Sequence, residues 1–215
     1  MRGFDPTEFI IHVLVVVLSV TLHEFGHAIA ADMLGDPTPR YQGRITLRPD
    51  KHLDPLGFVM ILLTSMGMVG LGWGKPVQVN TGRFKHPRRD LVIVALAGPV
   101  MNLALAVVFG LMLRFLLNAS PNPEAWMQET DPGRFMFSLV WINLVLLFFN
   151  LLPLHPLDGG KLFSGMLPRS QADTYDRFMG QYGMVILLVL VVSGSMLSSI
   201  ISPPVNGFFK LLTGY

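Results

Sequence analysis

The chain has 215 residues, of which 51% are hydrophobic and only 14% charged, and its mean hydropathy is +0.52. That leaves too little polar surface to cover a water-soluble globule of this size, so the composition implies one integral membrane domain over residues 1–215. A formal net charge of +2 with no long Lys/Arg array argues against a nucleic-acid partner, and the absence of cysteine removes disulfides, thiolate ligands and a cysteine nucleophile.

In chain order, the first apolar run, from Phe9 to Leu22, follows Arg2 and precedes Ala28-Ile29-Ala30, which together imitate a cleavable signal peptide. Asp5 and Glu8 offset the leading charge, and a polar block separates the run from those alanines. The run therefore reads as a retained helix over about 7–34, ended by Gly35-Asp36-Pro37 and Pro39 and long enough to cross a bilayer. The polar block is His23-Glu24-Phe25-Gly26-His27. Histidines four apart lie about 40° apart around a helix, one turn displaced, so both imidazoles can reach one ion. Glu24, roughly 100° from His23, can touch a water at that ion without being a ligand. This is the pattern of a zinc hydrolase, with His23 and His27 as metal ligands and Glu24 as catalytic base.

Two short stretches, 41–47 and 75–80, carry residues suited to extended chain and suggest a small membrane-associated β-sheet. Between them, 56–71 is apolar but broken by Gly57, Gly67 and Gly70, and its length is marginal for a span. Three clearer spans follow at 91–117, 135–152 and 178–201, while the tail after Pro203-Pro204 is too short to cross and is expected at the interface. The fold class is thus an all-α polytopic membrane protein with four full transmembrane helices, re-entrant or interfacial segments, and a small sheet. Charge supports this count. With 56–71 not spanning, twelve Lys and Arg residues fall on one side of the membrane and four on the other, whereas a spanning 56–71 gives nine and seven. The positive-inside rule favours the first arrangement, with both termini outside the cytoplasm.

The third metal ligand must reach the depth of His23 and His27. Asp158 follows the third span in Asn150-Leu151-Leu152-Pro153-Leu154-His155-Pro156-Leu157-Asp158-Gly159-Gly160, and that span runs in the same direction as the first, so both motifs meet near the cytoplasmic side. Gly98-Pro99 interrupts the second span, one turn before Asn102. Asn102 and Asn150 are amides able to donate to an oxyanion or hold a substrate strand, or else to make interhelical hydrogen bonds. Asn143 reads as packing. His52 and His155 are candidates for outer contacts to the site or for polar boundary residues. Arg83, Lys85, Arg88 and Arg89 suit a headgroup-facing anchor.

Taken together, His23-Glu24-Phe25-Gly26-His27, Gly98-Pro99-x-x-Asn102 and Asn150 through Asp158-Gly159-Gly160 resemble the site-2 protease family of intramembrane zinc metalloproteases, in its compact bacterial branch. The resemblance covers about residues 10–165, including Gly35-Asp36-Pro37-Thr38-Pro39 and Gly74-Lys75-Pro76-Val77, and leaves no room for an appended PDZ or CBS domain. It implies Zn2+ on His23, His27 and Asp158, Glu24 as base, and Asn102 and Asn150 in substrate handling. It also implies a single-span membrane protein as substrate, a lipid bilayer as environment, and a multi-pass protein of the bacterial inner membrane with its active site toward the cytoplasm. A substrate helix must unwind to be cut, and an exposed edge at 41–47 or 75–80 can receive it by strand addition. The competing reading is a membrane metal-binding protein or transporter without proteolytic activity. That reading leaves a glutamate beside the first ligand unexplained.

Overall fold

Asp5 accepts hydrogen bonds from the amides of Thr7 and Glu8 and so caps the first helix, α1 (Pro6–Met33), with Pro6 in its first turn. In the computed structural model, which describes residues 4–68, 70 and 72–215, α1 is followed by α2 (Thr38–Tyr41), α3 (Pro49–His52) and α4 (Pro55–Ser65). A 3₁₀ turn at Thr81–Arg83 leads to α5 (Pro87–Ala119), then α6 (Pro123–Glu129) and α7 (Asp131–Asn150). The chain ends with α8 (Asp158–Met166), α9 (Arg169–Ser193) and α10 (Ser195–Thr213). Four helices, α1, α5, α7 and α9, are long and apolar enough to cross a membrane. They match the four spans expected from hydropathy. Their valine-, isoleucine- and leucine-rich runs form helices because lipid supplies no partner for a free backbone N–H or C=O.

The first turn of α7 meets the start of α1 through Arg134 and Asp5, 3.1 Å apart, and just past the end of α7 Asp158 meets His23 and His27. The two helices are therefore parallel, as the expected topology requires. α5 packs between them in the opposite sense: its first turn reaches α8 through Arg88, which donates to the carbonyls of Ser164 and Leu167. Leu113, Leu117, Val140, Leu144 and Val205 are fully buried where α5, α7 and α10 meet. Leu14, Val108, Phe115, Leu188 and Val192 are each more than half exposed on the outer faces. A soluble protein would not tolerate so much apolar surface; a bilayer covers it.

The structure corrects several sequence expectations. No strand occurs among the described residues, and the only β-type pairing there is an isolated bridge between Leu53 and Gly74. The expected sheet fails because 41–47 spends its backbone groups locally, with the amides of Gly43 and Arg44 donating to Arg40 and Pro39 in a turn after α2. Gln42 and Gln78 meet through their side-chain amides, at 2.7 Å, and not through a ladder. Segment 75–80 forms no strand: the amide of Lys75 donates to the His52 carbonyl and that of Asn80 to the Asp36 carboxylate. Within 56–71, α4 has 11 residues, about 16 Å of helix against a hydrocarbon core of about 30 Å, so it is too short to cross. Val69 and Leu71, which belong to that segment, and Arg2, which was counted in the charge balance, lie outside the described residues.

The last expected span, 178–201, is divided at Gly194, whose φ of +55° breaks the helix. The tail after Pro203-Pro204 is helical: α10 continues through both prolines and packs on α7 and α5. Ile201, Val205, Phe209 and Leu212 recur on one face and are buried. Phe209 sits edge-on to Phe137 and Trp141. Contact along that face sustains a helix that the two prolines alone would disfavour.

Candidate metal centre and active site

His23 and His27 lie on the inner face of α1, 7% exposed each, and Asp158 opens α8 at the same depth with the same exposure. Asp158 Oδ2 is 3.1 Å from His23 Nε2 and 3.0 Å from His27 Nε2, and the two Nε2 atoms are 3.1 Å apart. The structure brings these three side chains together. Gly98 makes the approach feasible, because a Cβ there would fall 2.4 Å from His27 Nε2 and 2.7 Å from His23 Cε1. Gly159 plays the same part at the other wall, where a Cβ would lie 2.3 Å from the Leu152 carbonyl.

Proton positions decide what the three atoms can hold. His27 Nδ1 is 2.7 Å from the carbonyl of Val94, which only accepts, so that nitrogen carries the hydrogen. His23 Nδ1 donates likewise to Asn102 Oδ1 at 2.6 Å. With its hydrogen on Nδ1, each imidazole in its neutral form turns a bare lone pair on Nε2 toward Asp158 Oδ2. Three acceptors converging within about 3 Å repel one another unless a cation sits among them. Two imidazole nitrogens and one carboxylate oxygen are a zinc donor set with an open position, and a tetrahedral ion would hold its ligands about 3.3 Å apart. The residues fit zinc.

Glu24 adjoins these ligands, is 9% exposed, and lines the same cavity. Its Oε2 has no hydrogen-bond partner among the described residues, and the guanidinium of Arg44 is 3.7 Å away. Arg44 is itself buried in the loop after α2 and donates to the carbonyl of Lys75. Burial pushes its guanidinium below the ordinary range, while the carboxylate of Glu24 pulls the other way. The cavity has a volume of about 960 Å³ and is walled by Val20, Met60, Val77, Phe149, Leu187 and Val191, among other residues. Asn150 and Lys161 add polar groups to its wall, with Lys161 Nζ 3.4 Å from Asp158 Oδ1.

The two asparagines occupy different places. Asn150 reaches the cavity, with its amide donating to the Leu146 carbonyl of its own helix. Asn102 is fully buried beneath His23 and is not on the cavity wall; its Nδ2 donates to Asn143 Oδ1 at 2.8 Å. Asn143, read from sequence as packing, is thus bonded into the site. His52 is fully buried, donates from Nε2 to the Thr46 carbonyl, and sits behind Arg44. Burial pushes its imidazole down, toward the neutral form. His155 pairs instead with Asp176, 3.1 Å away, outside the metal cluster. No signal in the sequence pointed to Arg44 or Asn143, since one cation in a loop and one amide in an apolar helix have no partner until the chain is folded.

A buried two-histidine, one-aspartate centre with an adjacent glutamate, set in a bundle of membrane-length helices, defines a class of membrane metallopeptidase. The family model described as "Peptidase family M50" matches residues 11–130 and 118–193, and the chain belongs to that family, the site-2 protease family. It is 40% identical over 187 residues to "Putative zinc metalloprotease YwhC" of Bacillus subtilis, covering 84% of this chain and 80% of that one. It is 32% identical over 198 residues to "Putative zinc metalloprotease Rip2" of Mycobacterium tuberculosis, covering 90% and 67%. A more distant relative, "Zinc metalloprotease MJ0392" of Methanocaldococcus jannaschii, is 22% identical over 190 residues, covering 87% and 44%. No solved structure gives a significant match.

Proposed function

We propose that this zinc metalloprotease hydrolyses peptide bonds within the transmembrane segments of single-span membrane proteins, using His23, His27 and Asp158 as zinc ligands and Glu24 as base. The observation that carries the reading is the position of the donor cluster: it lies buried among membrane-length helices, on the wall of an apolar cavity that also holds Glu24. A protease acting on soluble peptides has no need to sink its metal between apolar helices.

Zinc, when bound, supplies a Lewis acid that acidifies a water and polarises a carbonyl. Glu24 takes the proton of the attacking water and returns it to the departing amine, which requires a carboxylate free of strong hydrogen bonds, as its Oε2 is. Arg44, behind it, offsets the charge of that carboxylate without reaching the cavity wall. Val20, Phe149 and Leu187 exclude water from the rest of the cavity and match an apolar substrate segment. Asn150 is placed to bond a substrate backbone group there.

The loops at the metal end of the bundle carry the basic residues: nine between 35 and 90 and three between 154 and 178. By the positive-inside rule this charge bias supports a metal end that faces the cytoplasm, in keeping with a site on the cytoplasmic side of a bacterial inner membrane. The deciding experiment measures the zinc content of purified protein alongside cleavage of a candidate single-span substrate by wild type and by Glu24→Gln. Stoichiometric zinc in both with cleavage only by wild type supports the reading; equal cleavage by both overturns it.

A further inference from the structure

We propose that Asn143 is a positioning residue for the metal centre: acting through Asn102, it holds His23 in the tautomer that can ligate. The inference rests on the assignment of His23 as a zinc ligand.

The orientation of the relay can be worked out from its far end. Asn143 Nδ2 lies 2.8 Å from the carbonyl of Leu139 and 2.9 Å from Ser19 Oγ. A carbonyl only accepts, and the Ser19 hydroxyl spends its hydrogen on the carbonyl of Val15 at 2.7 Å. The atom facing both must therefore be the amide nitrogen of Asn143, and its Oδ1 must face the other way. There it accepts from Asn102 Nδ2 at 2.8 Å, which turns Asn102 Oδ1 toward His23 Nδ1 at 2.6 Å. Facing an acceptor, Nδ1 keeps its hydrogen, which leaves Nε2 as the ring nitrogen that can ligate. Ser19, Asn102 and Asn143 are all fully buried, so no water can substitute for a missing member. Two backbone carbonyls, one on α1 and one on α7, thus set the proton position on a ligand of the metal.

Without Asn143, nothing fixes which end of the Asn102 amide meets His23. A rotated amide would present Nδ2 to Nδ1 and drive the hydrogen onto Nε2, where it blocks ligation. Losing such an orienting partner costs about 10- to 100-fold in metal affinity. The relay also makes a prediction that simple helix packing does not. A carboxylate at position 102 offers His23 an acceptor whichever way it turns, so in Asn102→Asp the identity of residue 143 no longer matters to the tautomer.

The test is a zinc titration of the full-length, metal-stripped protein in detergent against a chromophoric chelator, using zinc ion alone as the probe. Asn143→Leu should lower zinc affinity at least about 10-fold in the wild-type background and less than about 2-fold in the Asn102→Asp background. Equal losses in the two backgrounds mean that Asn143 serves only to hold the helices together, and the proposal fails. Should Asn143→Leu not fold, nitrogen-15 spectra of the histidines in metal-free wild type decide the matter. A hydrogen on Nδ1 of His23 supports the relay, and an Nδ1 without one overturns it. His23→Ala separates this proposal from the ligand assignment beneath it. If that variant keeps stoichiometric zinc, the ligand assignment is wrong; if it loses zinc while Asn143→Leu binds as tightly as wild type, the relay alone is wrong.

Discussion

The guanidinium of Arg44 lies 3.7 Å from the carboxylate of Glu24, and both side chains are almost completely removed from solvent. Arg44 also donates to the carbonyl of Lys75, so one cation ties Glu24 to the segment that forms a wall of the cavity. Breaking a buried pair by removing one partner costs about 3–5 kcal/mol, because the remaining charge is left uncompensated. Arg44→Met should therefore destabilise the protein by about that much and depress turnover while zinc remains bound. Adding Glu24→Gln to Arg44→Met removes the orphaned charge and should recover most of the lost stability, read as the unfolding temperature in detergent. A double variant no more stable than Arg44→Met would show that the two residues are not coupled.

Glu24→Gln isolates base from ligand. The amide keeps the shape of the side chain but cannot take a proton, so zinc should bind with unchanged stoichiometry while hydrolysis is lost. Loss of zinc in this variant would instead make Glu24 a ligand.

Acid should strip the metal. Ligands must be deprotonated to bind, so in acid two protons compete with zinc for the two imidazoles and its apparent affinity drops up to about 100-fold per pH unit. Asp158→Ala should lower affinity at every pH, by at least the roughly 10-fold that even an outer partner of a ligand is worth.

Much of the site was legible in the sequence because its members come in short, spaced motifs. His23, Glu24 and His27 share one helix face, and the direction of the third span brought Asp158 to the same depth. Hydropathy found the four long helices because a bilayer imposes length and apolarity on each one independently. The sheet, the break at Gly194 and the role of Asn143 depend instead on what each segment meets. Tyr41 to Leu47 looks extended by residue type, yet turn hydrogen bonds and the burial of Arg44 claim it. Asn143 sits in an apolar run whose pattern gives no hint that Asn102 and Ser19 converge on it from two other helices.

Topology can be tested directly, since the chain contains no cysteine. α4 is too short to cross, so Gly43 and Arg83, on either side of it, should share one face of the membrane. Cysteines at these two positions should react with a membrane-impermeant reagent from the cytoplasmic side only. Reaction from opposite sides would mean that the 56–71 segment spans after all.

The segment 75–80 is the place where a substrate should pair. Val77 and Val79 line the cavity with Glu24, and among the described residues nothing bonds the amides of Val77 and Val79. A helical substrate offers no free carbonyl to the nucleophile and must unwind over several residues, orphaning backbone groups that cost several kcal/mol each in apolar surroundings. No sheet is present among the described residues for it to join, but one unpaired stretch suffices to form a two-stranded ladder, which pairs backbone to backbone without regard to side chain. Substrates should then carry helix-weakening Gly, Pro or Asn near the cut. Val77→Pro removes one donor from this segment and should slow cleavage while leaving zinc content and unfolding temperature unchanged. If the folded variant cleaves at the wild-type rate, pairing at this segment is wrong, and Asn150 on the opposite wall becomes the group that holds the substrate backbone.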